Sequence, residues 1–168
     1  LTASPAQAVS GPGPYYAEPA WDRKLPAATR FLILTNWNKE AVLDKETGLA
    51  WELSPQTATA TWSAARTVCT ARTTGNRKGW RLPSIHELTS LIDPSLAPNI
   101  VHLPPGHPFP TVINHDYWSA TEDKDNPAEA IPADAWFAGF GSGGAFIAPK
   151  GNDAYVWCVR GGNNADQY

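Results

Sequence analysis

The chain has 168 residues, enough for one domain with a real core, since domains commonly run about 100–150 residues. Charge is sparse at 17% and nearly balanced at −3, which leaves no basic footprint for nucleic acid or for an anionic membrane. No apolar run approaches the roughly 20 residues that span a bilayer, and Phe31-Leu32-Ile33-Leu34 reads as a strand.

Residues 1–28 carry Pro5, Pro12, Pro14, Pro19 and Pro26 with Gly11 and Gly13, and show no apolar period. They read as a proline-rich N-terminal arm ahead of a domain over 29–162 and a tail over 163–168. Tyr15, Tyr16 and Trp21 are too many aromatics for a solvated tail, so the arm is expected to pack on its own domain or on a neighbour. The chain contains no methionine and starts at Leu1; removal of a secretory signal peptide is the economical account.

The spacing predicts strands over 31–35 and 41–43 around Asn36-Trp37-Asn38-Lys39, and a third over 49–53 after the Thr47-Gly48 turn. A first helix is expected over 61–73, with Trp62, Ala65 and Cys69 on one stripe and Gly75 as its stop. Trp80-Arg81 then reads as a strand end that turns directly into a second helix over 84–92. Pro83 precedes Ser84, and Ser84 with Glu87 forms the S-x-x-E capping box, in which each satisfies an orphan donor of the other. Ile85, Leu88, Leu91 and Ile92 follow at helical spacing, and Asp93-Pro94 ends the helix. Trp80, Arg81, Pro83, Ser84 and Glu87 are therefore architectural: anchor, cap and surface. Six prolines between 93 and 116 predict a long loop, which in a domain is usually functional or disordered. Strands are expected over 117–121, 135–140, 144–148 and 154–160, with Gly141-Ser142-Gly143-Gly144 as a tight turn.

Several of these segments share a pattern. Asp44-Lys45-Glu46-Thr47-Gly48-Leu49-Ala50-Trp51, Thr61-Trp62-Ser63-Ala64-Ala65 with Cys69, Trp80-Arg81-Leu82-Pro83-Ser84 with Glu87-Leu88, Tyr117-Trp118-Ser119-Ala120-Thr121, Ala135-Trp136 with Phe140 and Gly143, and Cys158-Val159-Arg160-Gly161-Gly162 stand in order and spacing as motifs. From about Phe31 to Gly162 the chain resembles the Lcl C-terminal domain family, named for a bacterial collagen-like adhesin. The resemblance implies an α+β, C-type lectin-like fold: two helices packed on short twisted antiparallel strands, with a long loop. It places Trp118, Trp136 and Phe140 among the structural residues. It also pairs Cys69 with Cys158, positions that composition alone leaves open between buried free thiols and a bridge formed outside the cytoplasm. Such a bridge would close a loop of nearly ninety residues, valued at roughly 4–5 kcal/mol in the chain-entropy model.

Glu122, Asp123, Asp125 and Glu129 gather hard oxygen ligands of the kind calcium takes. The EF-hand glycine and the sugar-site triplets of calcium-dependent lectins are absent, however, and we read a solvated acidic turn with no cofactor. His86, His102, His107 and His115 lack zinc spacing. No nucleophile elbow or glycine-rich phosphate loop is present. The helix motif is shared loosely with formylglycine-generating enzymes, whose chemistry uses paired cysteines, but both cysteines here are committed by the family pattern. His86 and Glu87 diverge as helix neighbours. We expect no enzyme.

Binding remains. Strand alternation sets Trp136, Ala138 and Phe140 on one face and Phe137 on the other, and the resemblance puts the first set in the core. Phe137, Phe146 and Ile147 then fall where retroelement-varied relatives diversify, unless the arm covers them. Tyr155 and Trp157 alternate away from Val156 and Cys158 and are assigned to the same outer surface. An uncovered surface of Phe137, Phe146, Ile147, Tyr155 and Trp157 is the kind of apolar patch that marks an interface. The sequence thus reads as a secreted, non-catalytic binding or adhesion module for a protein or glycan, the adhesin relatives engaging sulfated glycans. It would be extracellular, at the cell surface or periplasmic, and open to homo-oligomerisation. The alternative is a structural or accessory subunit of an extracellular or periplasmic assembly.

Overall fold

The computed structural model describes residues 25–124 and 133–162. A one-turn helix, α1 (Ala27–Arg30), leads into β1 (Phe31–Ile33), which pairs antiparallel with β2 (Ala41–Asp44) across a 3-10 turn at Thr35–Trp37. β3 (Leu49–Glu52) returns beside β2. The connecting turn is fixed by Asp44, whose carboxylate accepts the Glu46 N–H at 3.0 Å and the Thr47 hydroxyl at 2.9 Å. That same carboxylate takes the Arg30 guanidinium through two bonds of 2.8 Å. Arg30 is only 1% exposed. It also meets Glu46 at 2.8 Å and donates to the Ser90 carbonyl at 2.9 Å, so a buried charge is fully partnered, as burial requires.

β4 (Thr59–Ala60) precedes α2 (Trp62–Ala71). Trp62, Ala65 and Cys69 are the buried stripe of α2, as their spacing predicts. The helix ends at Ala71, earlier than expected, and Gly75 is not its stop. Gly75 sits at φ 65° in a separate 3-10 turn, Thr74–Asn76, where a Cβ would stand 2.8 Å from that of Trp37. β5 (Trp80–Arg81) runs into α3 (Ile85–Thr89), shorter than the expected 84–92. The capping box is present in both directions: the Ser84 hydroxyl accepts from the Glu87 N–H, and Glu87 accepts from the Ser84 N–H at 2.8 Å. Glu87 also receives Arg81 at 2.6 Å and 2.7 Å, and Arg81 donates to the Gly161 carbonyl at 2.7 Å. The motif residues thus pin strand, helix and C-terminal end together. Trp80 is buried and donates its indole N–H to the Thr74 carbonyl.

The remaining strands are β6 (Asp116–Glu122), β7 (Asp134–Gly139), β8 (Gly144–Pro149), β9 (Ala154–Tyr155) and β10 (Val159–Arg160). Among the described residues they complete two five-stranded sheets, ordered β1-β2-β3-β10-β5 and β4-β9-β6-β7-β8. The arrangement is mixed α+β. Pairing is antiparallel except between β6 and β9, which run parallel at Tyr117–Tyr155. The single strand expected over 154–160 is two. β9 belongs to the second sheet and β10 to the first, and the chain crosses between them at Val156, Trp157 and Cys158.

That crossing corrects the facing of Trp157. Alternation holds only within one strand, and Trp157 lies between two, so it turns inward and is 0% exposed. Its ring packs against Phe109 at 4.8 Å, Trp51 at 5.2 Å and Phe140 at 5.8 Å, and its indole N–H donates to the Glu52 carbonyl at 2.9 Å. One core gathers around Trp157, Tyr117, Phe140 and the apolar face of α3; a second gathers around Trp62, Trp80 and Trp118 beneath α2. Ala27 is buried in the first, so the packed unit draws on a residue assigned to the arm. Cys69 and Cys158 form a disulfide with Cα atoms 5.4 Å apart, tying α2 to the residue before β10.

Candidate functional site

β7 and β8 form a hairpin in which register decides which side chains share a face. Phe137 stands opposite Phe146 and, on its other side, opposite Trp118; Trp136 stands opposite Ile147. Opposed residues point to the same side of a sheet and neighbours to opposite sides. Phe146 and Ile147, 44% and 45% exposed, therefore lie on different faces and cannot serve one patch. Tyr155 is half-buried beside Tyr117, at 5.6 Å between rings, and Tyr117 is opposite Ala138 on the Trp136–Ile147 face. Of the five residues expected to form one outer surface, the structure brings together only Phe137 and Phe146. Ile147 and Tyr155 belong to the other face, and Trp157 to the core. Trp136 is half-buried at the margin of the first core, and Phe140 is fully buried.

Phe137 and Phe146 continue a row that starts in the interior. Trp118 is 1% exposed and meets Phe137 edge-on at 6.1 Å; Phe137 is half-buried and stacks on Phe146 at 5.7 Å. The row runs from core to rim, so its outermost ring is held rigidly from behind. Such edge-on and offset ring pairs add about 0.5–1.5 kcal/mol beyond burial.

Polar groups flank the rim. Gly139 and Gly144 are opposed residues beside the ring, and a Cβ on either would meet Phe146 at 3.2–3.3 Å. The Asp116 carboxylate and the Ser142 hydroxyl come up against the same bare surface of Gly139. Asp116 is opposite Gly139 on β6, and Ser142, in the turn, donates to the Gly139 carbonyl at 3.3 Å. Partial burial lifts the Asp116 carboxyl above its ordinary value, against the pull of neighbouring His115. In the sequence the residues around these aromatics are mostly Gly and Ala. Ser142 belongs to the turn of the same hairpin, and the fold adds the Asp116 carboxylate from β6, a position that local alternation could not connect to Phe146.

The 93–115 loop braces this hairpin's turn. His102 donates its N–H to the Phe140 carbonyl at 2.8 Å, Asn99 donates to Gly141, and Phe140 donates to His115. The His102 ring is buried directly under Gly143, where a Cβ would lie 2.5 Å from Nδ1. The glycines of the turn thus serve close packing.

Elsewhere, Trp37 packs edge-on against Trp80 and lies under the guanidinium groups of Arg77 and Arg160, at 5.5 Å and 5.3 Å. This basic spot was not singled out from the sequence, because Arg160 joins Arg77 over Trp37 only through the fold. A cleft of about 340 Å³ near Glu52, Gln56, Arg72 and Thr74 has its polar groups engaged with each other.

Of the carboxylates considered for calcium, Asp125 and Glu129 lie outside the described residues. Glu122 is bound to Lys150 at 2.7 Å, and Asp123 donates its N–H to the Asp134 carbonyl. Among the described residues no cluster of three or more His, Cys, Asp or Glu is placed to hold a metal, and no helix is long and apolar enough to cross a membrane. Residues 40–160 match the sequence model of the Lcl C-terminal domain family. No curated protein matches the chain.

Proposed function

We propose, because the chain belongs to the Lcl C-terminal domain family, that it is a secreted, non-catalytic adhesion module with a C-type lectin-like fold, and that the Phe137–Phe146 ledge is its working surface. The observation that carries this reading is a rigidly backed, exposed aromatic ring with a carboxylate and a hydroxyl beside it. A sugar ring stacks its apolar face on an aromatic while its hydroxyls need acceptors at the edge; Phe146 with Asp116 and Ser142 offers that pairing. Binding at this ledge needs neither a metal nor a cofactor. The disulfide supports an oxidising, extracellular or periplasmic location.

The test is the full chain on an array of neutral and sulfated glycans and extracellular-matrix proteins, with and without EDTA. The reading expects saturable binding to a glycan that EDTA leaves unchanged. Binding abolished by EDTA would move the site to the acidic segment at 122–129. Binding only to sulfated glycans, weakened by Arg77→Ala and Arg160→Ala, would move it to the basic spot around Trp37. The second reading, an accessory subunit of an extracellular assembly, is supported by exposed apolar side chains on both faces of β8 and predicts capture of a protein with no glycan binding.

A further inference from the structure

Among the described residues β8 is the outer strand of its sheet, and the direction of its backbone groups is fixed twice over. The Lys150 N–H donates to the Ala133 carbonyl, which continues the β7–β8 register of Ala135↔Ala148 and Phe137↔Phe146. Hydrogen-bonded pairs alternate along an antiparallel ladder, so Phe146 and Ala148 bond inward to β7. Independently, the Phe140 N–H bonds to His115 across the β6–β7 ladder. Ala138 and Trp136 therefore bond toward β6, and Phe137 and Ala135 toward β8. Both routes leave the N–H and C=O of Ala145 and Ile147 pointing away from the sheet.

Edge strands normally carry charge, proline or a bulge against strand addition, or are very short. The other edges comply. β4 and β5 have two residues each, and on β1 the Phe31 N–H is already bonded to Ala27. β8 has six residues, Gly-Ala-Phe-Ile-Ala-Pro, with no ionisable side chain and its only proline at the last position. Two copies could approach along it without like-charge repulsion.

We propose that β8 pairs antiparallel with β8 of a second copy of this chain about a two-fold axis at Phe146. In that register Ala145 of each copy exchanges both backbone bonds with Ile147 of the other, giving four bonds. Pro149, which cannot donate, falls just outside the ladder. Phe146 becomes the non-hydrogen-bonded pair with its own mate, where Cα atoms stand about 4.5 Å apart and side chains are closest. The aromatic row then runs unbroken from Trp118 through Phe137 and Phe146 to the mate's Phe146, Phe137 and Trp118, doubling the ledge. The inference is independent of the ligand: a monomer that still binds glycan overturns it and leaves the functional reading intact.

Sedimentation equilibrium of the full chain tests it, with Ala145→Lys and Ile147→Pro as variants that guard the edge without touching an inward bond. The wild type is expected to rise from 18.1 kDa toward twice that mass with concentration. Both variants should stay at the monomer mass with an unchanged near-ultraviolet dichroism spectrum. If Ile147→Pro does not fold, Ala145→Lys decides alone. The chain has no free thiol among its native cysteines, so Phe146→Cys adds a single reactive one, and oxidation should cross-link two copies. A wild type that stays monomeric, a dimer that survives Ala145→Lys, or a dimer that Phe146→Cys fails to cross-link overturns the proposal. A dimer that vanishes only when residues 1–24 are deleted assigns the interface to the arm and overturns it as well.

Discussion

Trp157 and Ser84 mark the two ways a single side chain matters here. Trp157 fills the space between the sheets, and its truncation leaves a cavity lined by Trp51, Phe109 and Phe140 that their rigid rings cannot close. Trp157→Ala should cost about 3–5 kcal/mol, read as a lowered denaturation midpoint. Ser84 holds one N–H at the start of α3, and Ser84→Ala should cost about 1 kcal/mol with ligand binding unchanged in folded protein. Gly143→Ala combines a positive φ of 73° with a collision at His102, and should loosen the turn beside Phe146. Glu52 adds a pH signature. It is 4% exposed, and burial raises its carboxyl above 4.5 more than Arg72, the Cys158 N–H and Thr74 lower it. With the folded value above the unfolded one, its stabilising contribution is complete below pH 4.5 and is lost as pH rises through the folded value. Denaturant titrations should therefore show the wild type losing ground to Glu52→Gln between acid and neutral pH. A difference that grows in the wild type's favour would contradict the assignment.

At the scale of elements, the disulfide joins α2 to the crossing between β9 and β10 over a sequence separation of 89. Its loss in Cys69→Ser, Cys158→Ser should cost about 2–5 kcal/mol, and the unreduced, unfolded wild type should yield no thiol on titration. The pattern of α2, the α3 cap and the β1–β2–β3 meander were legible because each rests on local chemistry: a stripe at helical period, a capping box, turns with Asp44 and Gly48. The split of 154–160 was not. Nothing local tells a seven-residue strand from two dyads in different sheets joined by three buried residues, and the misplacement of Trp157 follows from that alone. The candidate site was half legible. Alternation set Phe137 apart from Trp136, and the resemblance supplied Phe146 and Ile147; as neighbours on one strand these two face opposite sides, while the side of Tyr155 depends on the parallel β6–β9 pairing. Asp116 reaches Phe146 only because β6 lies beside β7.

For the molecule as a whole, the two cores fix a frame from which one aromatic row extends to the rim, and the proposed adhesion runs through that rim. Truncating an interface anchor commonly costs 2 kcal/mol or more, roughly thirty-fold in affinity. Phe146 is 44% exposed and borne by an edge strand, so its removal should spare the fold. The decisive measurement is the affinity of Phe146→Ala for the array-identified ligand beside its thermal midpoint, repeated in an Ala145→Lys background so that the number of copies is constant. We predict at least a ten-fold loss of affinity with a midpoint within a few degrees of the parent. Unchanged affinity in a folded variant would contradict the assignment of the ledge.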